Sequence, residues 1–198
     1  MNQGLTRGNT GPGPHAANAP EPWVVRFAPL VRAGGAVLDL ACGNGRHARL
    51  FLERGHQVTA LDRDTAGVAD LAGQADVKAG VEIVAADLED GSPWPLAGRR
   101  FAAIVVVNYL HRPLFPALID ALAPGGVLIW QTFARGNERF GRPANPDFLL
   151  RPGELLDAVR GRLTVVAYEH GEIASPRPAV IQRICAVADG AGAPPKLP

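Results

Sequence analysis

The chain has 198 residues, 47 % of them hydrophobic and 20 % charged, with a formal net charge of +1. That is enough chain for one domain with a substantial core, and the near balance of charge excludes a strong global field for nucleic acid or an anionic membrane. No apolar run reaches the roughly 18 residues a membrane span needs, and the two cysteines, Cys42 and Cys185, sit outside any disulfide or zinc spacing.

Residues 1–20 are punctuated by glycine and proline and read as a flexible tail without the apolar stretch of a secretory signal, and 190–198 read the same way. Cytoplasm is the expected location, and 21–189 are expected to form the folded domain. Ala36–Ala41 is a short apolar strand that runs into a glycine loop. Arg46–Arg54 has the spacing of a helix, with Ala48, Phe51 and Leu52 inward and Gly55 as its stop. Gln57–Asp62 is a second strand, Thr65–Gln74 a helix, and Val81–Ala86 a third strand. Phe101–Asn108 is apolar enough for a central parallel strand buried on both faces. Pro113–Ala123 is predicted as a helix closed by Pro124-Gly125-Gly126, and Val127–Phe133 as a fifth strand. The pattern then stops from Ala134 to Leu150, a length that suggests a functional loop. A helix is expected over Pro152–Val159. Leu163–Glu169 and Ala179–Val187 are predicted to form an antiparallel pair at one sheet edge. Strand and helix alternating in this way predict a parallel sheet with right-handed crossovers.

The sharpest motif is Val37-Leu-Asp-Leu-Ala-Cys-Gly-Asn-Gly-Arg46, between a strand and a helix. Gly43 and Gly45 permit a tight turn and close backbone approach to a ligand at the carboxyl end of the sheet. The spacing Gly43, Gly45, Ala48 also satisfies a loose dinucleotide fingerprint. Asp39 opposes that reading, because a carboxylate there repels a pyrophosphate and suits a cofactor with an ammonium and a sulfonium. Asp62 ends the second strand, where a carboxylate can accept both ribose hydroxyls of an adenosine. Asp87 follows the third, where it can accept an adenine amino group beside the Leu88 backbone. Each aspartate alone can equally be a helix cap or turn residue. Three at the ends of successive strands point to a ligand.

The set Asp39/Gly43/Gly45, Asp62, Asp87, Asn108 and Leu122-Ala-Pro-Gly-Gly126 resembles the class I S-adenosylmethionine (SAM)-dependent methyltransferases. The family usually has glycine where this chain has Ala41. The resemblance implies an α/β, Rossmann-like fold: a seven-stranded, mostly parallel sheet with helices on both faces and an antiparallel last strand. It implies S-adenosyl-L-methionine as cofactor, held by Asp39, Ala41, Gly43, Gly45, Arg46, Asp62, Arg63, Asp87, Leu88 and Asn108. Cys42-Gly-Asn-Gly-Arg46 and Phe148-Leu-Leu-Arg-Pro-Gly-Glu-Leu155 resemble the small-molecule branch near the tellurite-resistance methyltransferases.

Methyl transfer asks mainly for positioning and exclusion of water, and no Ser-His-Asp order or Walker lysine is present. The acceptor side is expected from Asn108-Tyr109-Leu-His111-Arg112 and the loop after Phe133. Asn108 departs from the Asn-Pro-Pro-Tyr signature of enzymes acting on planar nitrogens. His111 is a candidate general base, or alternatively caps the next helix. Tyr109, Arg139 and Arg142 are candidate acceptor contacts, with Arg135 nearby and Phe140 as a seal; a solvated surface loop is the competing reading. Trp23 is expected to pack an N-terminal helix into the core, with Arg26 available to a methionyl carboxylate. The expected partner is a small-molecule acceptor, without nucleic acid, membrane or metal. Methylation of protein or RNA, a silent SAM-binding protein and, last, a dinucleotide oxidoreductase are the alternatives.

Overall fold

The computed structural model describes residues 19–72, 80–190 and 198. The two expected tails fall almost wholly outside them, as do Gly73 and Gln74 of the expected second helix. Seven strands form one sheet: β1 Val37–Leu40, β2 Val58–Asp62, β3 Val81–Ala85, β4 Phe101–Val107, β5 Leu122–Phe133, β6 Leu163–Ile173 and β7 Ala179–Ala188. Their spatial order is β3-β2-β1-β4-β5-β7-β6. The first five run parallel, and β7 lies antiparallel to both β5 and β6. The strand order reverses between β1 and β4, which is where open α/β sheets bind ligands.

Alternation along the strands sorts the core into two layers. Val37, Val58, Val105, Ile129 and Cys185 meet Trp23, Val24 and Phe27 of α1 (Pro22–Phe27) and Ala48 and Phe51 of α2 (Arg46–Glu53). Leu38, Leu40, Leu61, Ile104, Leu128 and Ile184 meet Leu118 of α3 (Phe115–Asp120) and Leu155 and Val159 of α4 (Glu154–Val159). All seven residues of β4 are buried, as its unbroken apolar run requires.

Three elements differ from the sequence expectation. The segment after β2 is a 3-10 helix over Ala66–Leu71, not an α-helix. The helix expected over Pro113–Ala123 is a 3-10 turn at Arg112–Leu114 followed by the short α3. Pro124-Gly125-Gly126 does not end that helix; it is a bulge inside β5, where the register to β4 shifts between Phe101 and Ala103. Gly126 is required there because a Cβ would stand 2.8 Å from the Phe101 carbonyl oxygen. Ala134–Leu150 is a loop closed on itself by backbone hydrogen bonds. The Leu150 amide donates to the Phe133 carbonyl and the Arg135 amide to the Leu150 carbonyl. Buried Asn137 accepts from the Val180 amide and donates to the Pro143 carbonyl, tying the loop to β7.

Candidate active site

The glycine loop is built from backbone and one carboxylate. Ala41 leaves β1 at φ +51, in the left-handed region that costs a residue with a Cβ on the order of 1 kcal/mol. Gly43 and Gly45 follow at φ +54 and +71, for different reasons. A Cβ on Gly43 meets nothing within 4 Å, so only its backbone conformation favours glycine; a Cβ on Gly45 would lie 2.5 Å from Val68 Cγ1. The Gly43 amide donates to Asp62 Oδ2 at 2.8 Å, the Gly45 amide to the Cys42 carbonyl, and the Ala48 amide to Asp39 Oδ2 at 2.9 Å. Asp39 is 1 % exposed, with His47 Nδ1 3.8 Å away. It lines neither chamber below, and it holds α2 on β1 through the Ala48 amide. Burial, then Asp39 and Asp62, push the Cys42 thiol up to about 12, so it is no nucleophile at neutral pH.

The first chamber, about 330 Å³, opens at the carboxyl ends of β1, β2 and β3. Ala41, Asp62, Arg63, Ala86, Asp87, Leu88 and Glu89 line it, with Tyr109 and Phe148. Asp62 also accepts from the Asp64 amide, and Asp87 from the Glu89 amide at 2.9 Å. These bonds fix both carboxylates and leave each an oxygen lone pair for a ligand. Burial and the neighbouring Glu89 raise the Tyr109 phenol above its ordinary value, so it stays protonated as a hydrogen-bond donor.

The second chamber, about 270 Å³, lies across the switch point. Its wall comprises Glu21, Arg46, Asn108, Gln131, Phe133, Ile173, Pro176, Arg177, Ala179 and Ile181. Asn108 leaves β4 at φ +59, the counterpart of Ala41 on β1, and its amide donates to the Gln131 carbonyl. Arg46 pairs with Glu21 at 3.2 Å. An outer groove of about 500 Å³ is lined by Phe133, Arg142, Pro143, Ala144, Asn145, Phe148 and Arg177. It shares Phe133 and Arg177 with the second chamber and Phe148 with the first.

The remaining candidates lie elsewhere. His111 takes the N-cap position of the 3-10 turn without a side-chain cap bond, and it lines neither chamber. Arg139 is spent on Glu172 at 3.0 Å and on the Gly136 carbonyl, with its guanidinium 5.0 Å from the Phe140 ring. Of the two loop arginines named as acceptor contacts, only Arg142 reaches the groove. Trp23 is 2 % exposed and its Nε1 donates to the Ile184 carbonyl. Arg26 stacks on Trp23 and Phe27, and Arg46 lines the second chamber. Glu21, Glu89, Gln131, Phe148 and Arg177 escaped the sequence reading. Gln131 carried a usable signal, for it interrupts the apolar series Val127, Ile129, Gln131, Phe133 on one face of β5. Among the described residues no cluster could hold a metal ion, and no helix is long and apolar enough to cross a membrane.

Residues 37–126 match the family model described as a methyltransferase domain. Over 96 residues, 48 % of this chain, the sequence is 38 % identical to the trans-aconitate 2-methyltransferase of Acidovorax sp. (strain JS42). Over 107 residues, 52 % of the chain, it is 36 % identical to the malonyl-[acyl-carrier protein] O-methyltransferase of Serratia marcescens. The matched stretches span 37 % and 40 % of those proteins' own lengths. The fold is shared with the crystal structure of TehB from Haemophilus influenzae, at TM-score 0.65 and 17 % identity, over 84 % of this chain and 61 % of that one. Residues 37–126 thus resemble a methyltransferase domain, and the sheet has the Rossmann-like architecture seen in that structure.

Proposed function

We propose that this chain is a methyltransferase that transfers a methyl group from S-adenosyl-L-methionine to a small-molecule acceptor. The observation that carries the reading is the division of charge across the β1/β4 switch point. Carboxylates Asp62, Asp87 and Glu89 line one side, and Arg46 with Glu21 lines the other. When bound, the cofactor supplies an activated methyl group on a positively charged sulfur. Asp62 would accept from its ribose hydroxyls, and Asp87 with the Leu88 backbone would meet its adenine. Glu21 and Arg46 present opposite charges to an amino-acid head group. Cations are welcome beside such carboxylates. A pyrophosphate is not, because the Gly43, Gly45 and Ala48 amides that would cradle it already have partners inside the loop.

The chain's own contribution to the reaction is placement. Asn108 stands on a fixed backbone beside Gln131 in the second chamber, and Phe133 and Ile181 give that chamber an apolar lining. No residue at the junction is arranged as a strong base, so an acceptor already anionic or readily deprotonated suits it. The balanced net charge favours a small acceptor over RNA. The unpaired, buried Cys42 and Cys185 fit a reducing, cytoplasmic setting.

The test is a transfer screen with methyl-labelled SAM against thiols, oxyanions, small amines, protein and RNA. Label should pass to a small molecule. Label found only on protein or RNA would overturn the small-molecule assignment.

A further inference from the structure

Gln131 sits on β5 where the strand's inward face is otherwise apolar. Its neighbours on that face are Val127 and Ile129 before it and Phe133 after it. The residue is 4 % exposed, and its side-chain Oε1 is buried without a hydrogen-bond partner among the described residues. A buried amide oxygen left unpaired is costly, and native proteins seldom keep one that a ligand or water does not satisfy. The same side chain lines the second chamber, next to Asn108 at the junction. Around it the wall is apolar: Phe133, Ile173, Ala179 and Ile181. At the outer side stand Arg177, in both the chamber and the groove, and Arg142, in the groove. Both are exposed, and neither forms an ion pair among the described residues. Arg46, the other cation of the chamber, is already paired with Glu21.

Taken along the chamber, these residues present a hydrogen-bond acceptor at the junction, an apolar middle and an uncommitted positive charge outside. We infer that the acceptor is an amphipathic organic acid. Its N–H or O–H donates to Gln131 Oε1, its apolar body packs on Phe133 and Ile181, and its carboxylate faces Arg177 and Arg142. Guanidinium groups suit a planar carboxylate because they donate from a rigid fork. The inference rests on the reading above, that the acceptor enters this chamber, and adds what kind of molecule it is. It also makes Gln131 a specificity residue: an analogue lacking the donor leaves the oxygen unpaired and is discriminated against.

The experiment is direct binding by titration calorimetry and ligand-observed NMR on the full chain, with and without saturating S-adenosylhomocysteine. The probes are 4-hydroxyphenylacetate, phenylacetate, which lacks the inner donor, and tyramine, which reverses the outer charge. The wild type should bind 4-hydroxyphenylacetate about tenfold more tightly than either of the others. Arg177→Ala and Arg142→Ala should each weaken the acids about 3- to 10-fold and narrow the acid-over-amine preference. Gln131→Leu, which removes the unpaired oxygen and keeps the fold, should abolish the preference for 4-hydroxyphenylacetate over phenylacetate. Gln131→Glu should depress binding of both acids. S-adenosylhomocysteine affinity should stay within about twofold in Arg142→Ala, since Arg142 lines neither chamber. Tyramine binding as tightly as the acid would overturn the proposal, as would no acid binding at millimolar concentration or a preference that survives Gln131→Leu. If S-adenosylhomocysteine binds and the acids do not, this inference fails and the methyl-transfer reading stands. If the acids bind through Gln131 and S-adenosylhomocysteine does not, the methyl-transfer reading fails.

Discussion

The two sides of the β1/β4 switch point are built in different ways. On the β1–β2–β3 side, the chamber's carboxylates stand at or just beyond the ends of their strands, and one short loop with Asp62 and Asp39 fixes the backbone. On the β5–β7 side, the wall is assembled from residues scattered from Glu21 to Ile181, brought together only when β7 inserts beside β5. The first side is a local turn with local hydrogen bonds; the second is a product of the whole sheet. A wall built locally can therefore stay constant while one assembled from the whole sheet is redrawn by changes far apart in sequence.

The contrast can be broken most severely at Gly45. Gly45→Val combines a left-handed φ with a Cβ clash on Val68, and should cost about 3 kcal/mol of stability. Gly43→Ala, with open space around its Cβ, should cost only about 1 kcal/mol. Chemical denaturation of both variants checks this, and equal losses would mean that Val68 simply yields. Next in size is Asp39→Ala, which leaves the Ala48 amide without its carboxylate partner in a buried place. A loss of about 1–3 kcal/mol is expected, with SAM affinity in the folded variant falling less than in Asp62→Ala. A larger affinity loss at Asp39 would return it to the list of direct contacts.

Beyond the loop, Arg112 grips Glu154 through Nε at 2.6 Å and Nη2 at 3.1 Å, and also reaches the carbonyls of Asp147 and Leu149. This clamp holds the stretch that carries Phe148. Burial works to raise the Glu154 carboxyl, but hydrogen bonds from Arg112 and the Arg151 amide outweigh it and hold it below the ordinary value. A carboxyl lowered by folding adds stability above its unfolded pKa and loses it as the pH falls through the folded one. Glu154→Gln should thus destabilise by about 1–2 kcal/mol at neutral pH. The gap should begin to close as the pH drops below about 4.3. Melting curves across acid pH would expose a gap that does not close. The smallest effect is expected at Arg139, whose ion pair with Glu172 is more than half exposed on both partners. Arg139→Ala should shift stability by less than about 0.5 kcal/mol and leave SAM binding alone.

Sequence and structure agree where causes are local. Strand periodicity, glycine placement and carboxylates at strand ends make β1 to β4, the loop and Asp62 legible along the chain. The wall of the second chamber is not, because Gln131, Arg177 and Glu21 acquire meaning only through pairings such as Phe133 with Ile181 in β5–β7. His111 attracts a catalytic reading from its near-neutral chemistry, while the structure places it at the start of the 3-10 turn at Arg112–Leu114 and outside the lining of both chambers. The Pro124-Gly125-Gly126 bulge misled for a related reason. The same residues end helices and bend strands, and only the approach of the Phe101 carbonyl decides between them. Asp39 shows a third limit, since its chemistry was legible but its burial was not.

The central claim is that Asp62 helps hold an adenosine cofactor of the SAM type. Isothermal titration of S-adenosylhomocysteine and NAD into the wild type and Asp62→Ala tests it most directly. S-adenosylhomocysteine should bind the wild type at one site and NAD should not bind. Loss of a charge-assisted contact worth about 1.5–3 kcal/mol should weaken S-adenosylhomocysteine roughly 10- to 100-fold in the variant, while the variant stays folded. Binding of NAD without S-adenosylhomocysteine, or an unchanged affinity in a folded Asp62→Ala, would contradict it.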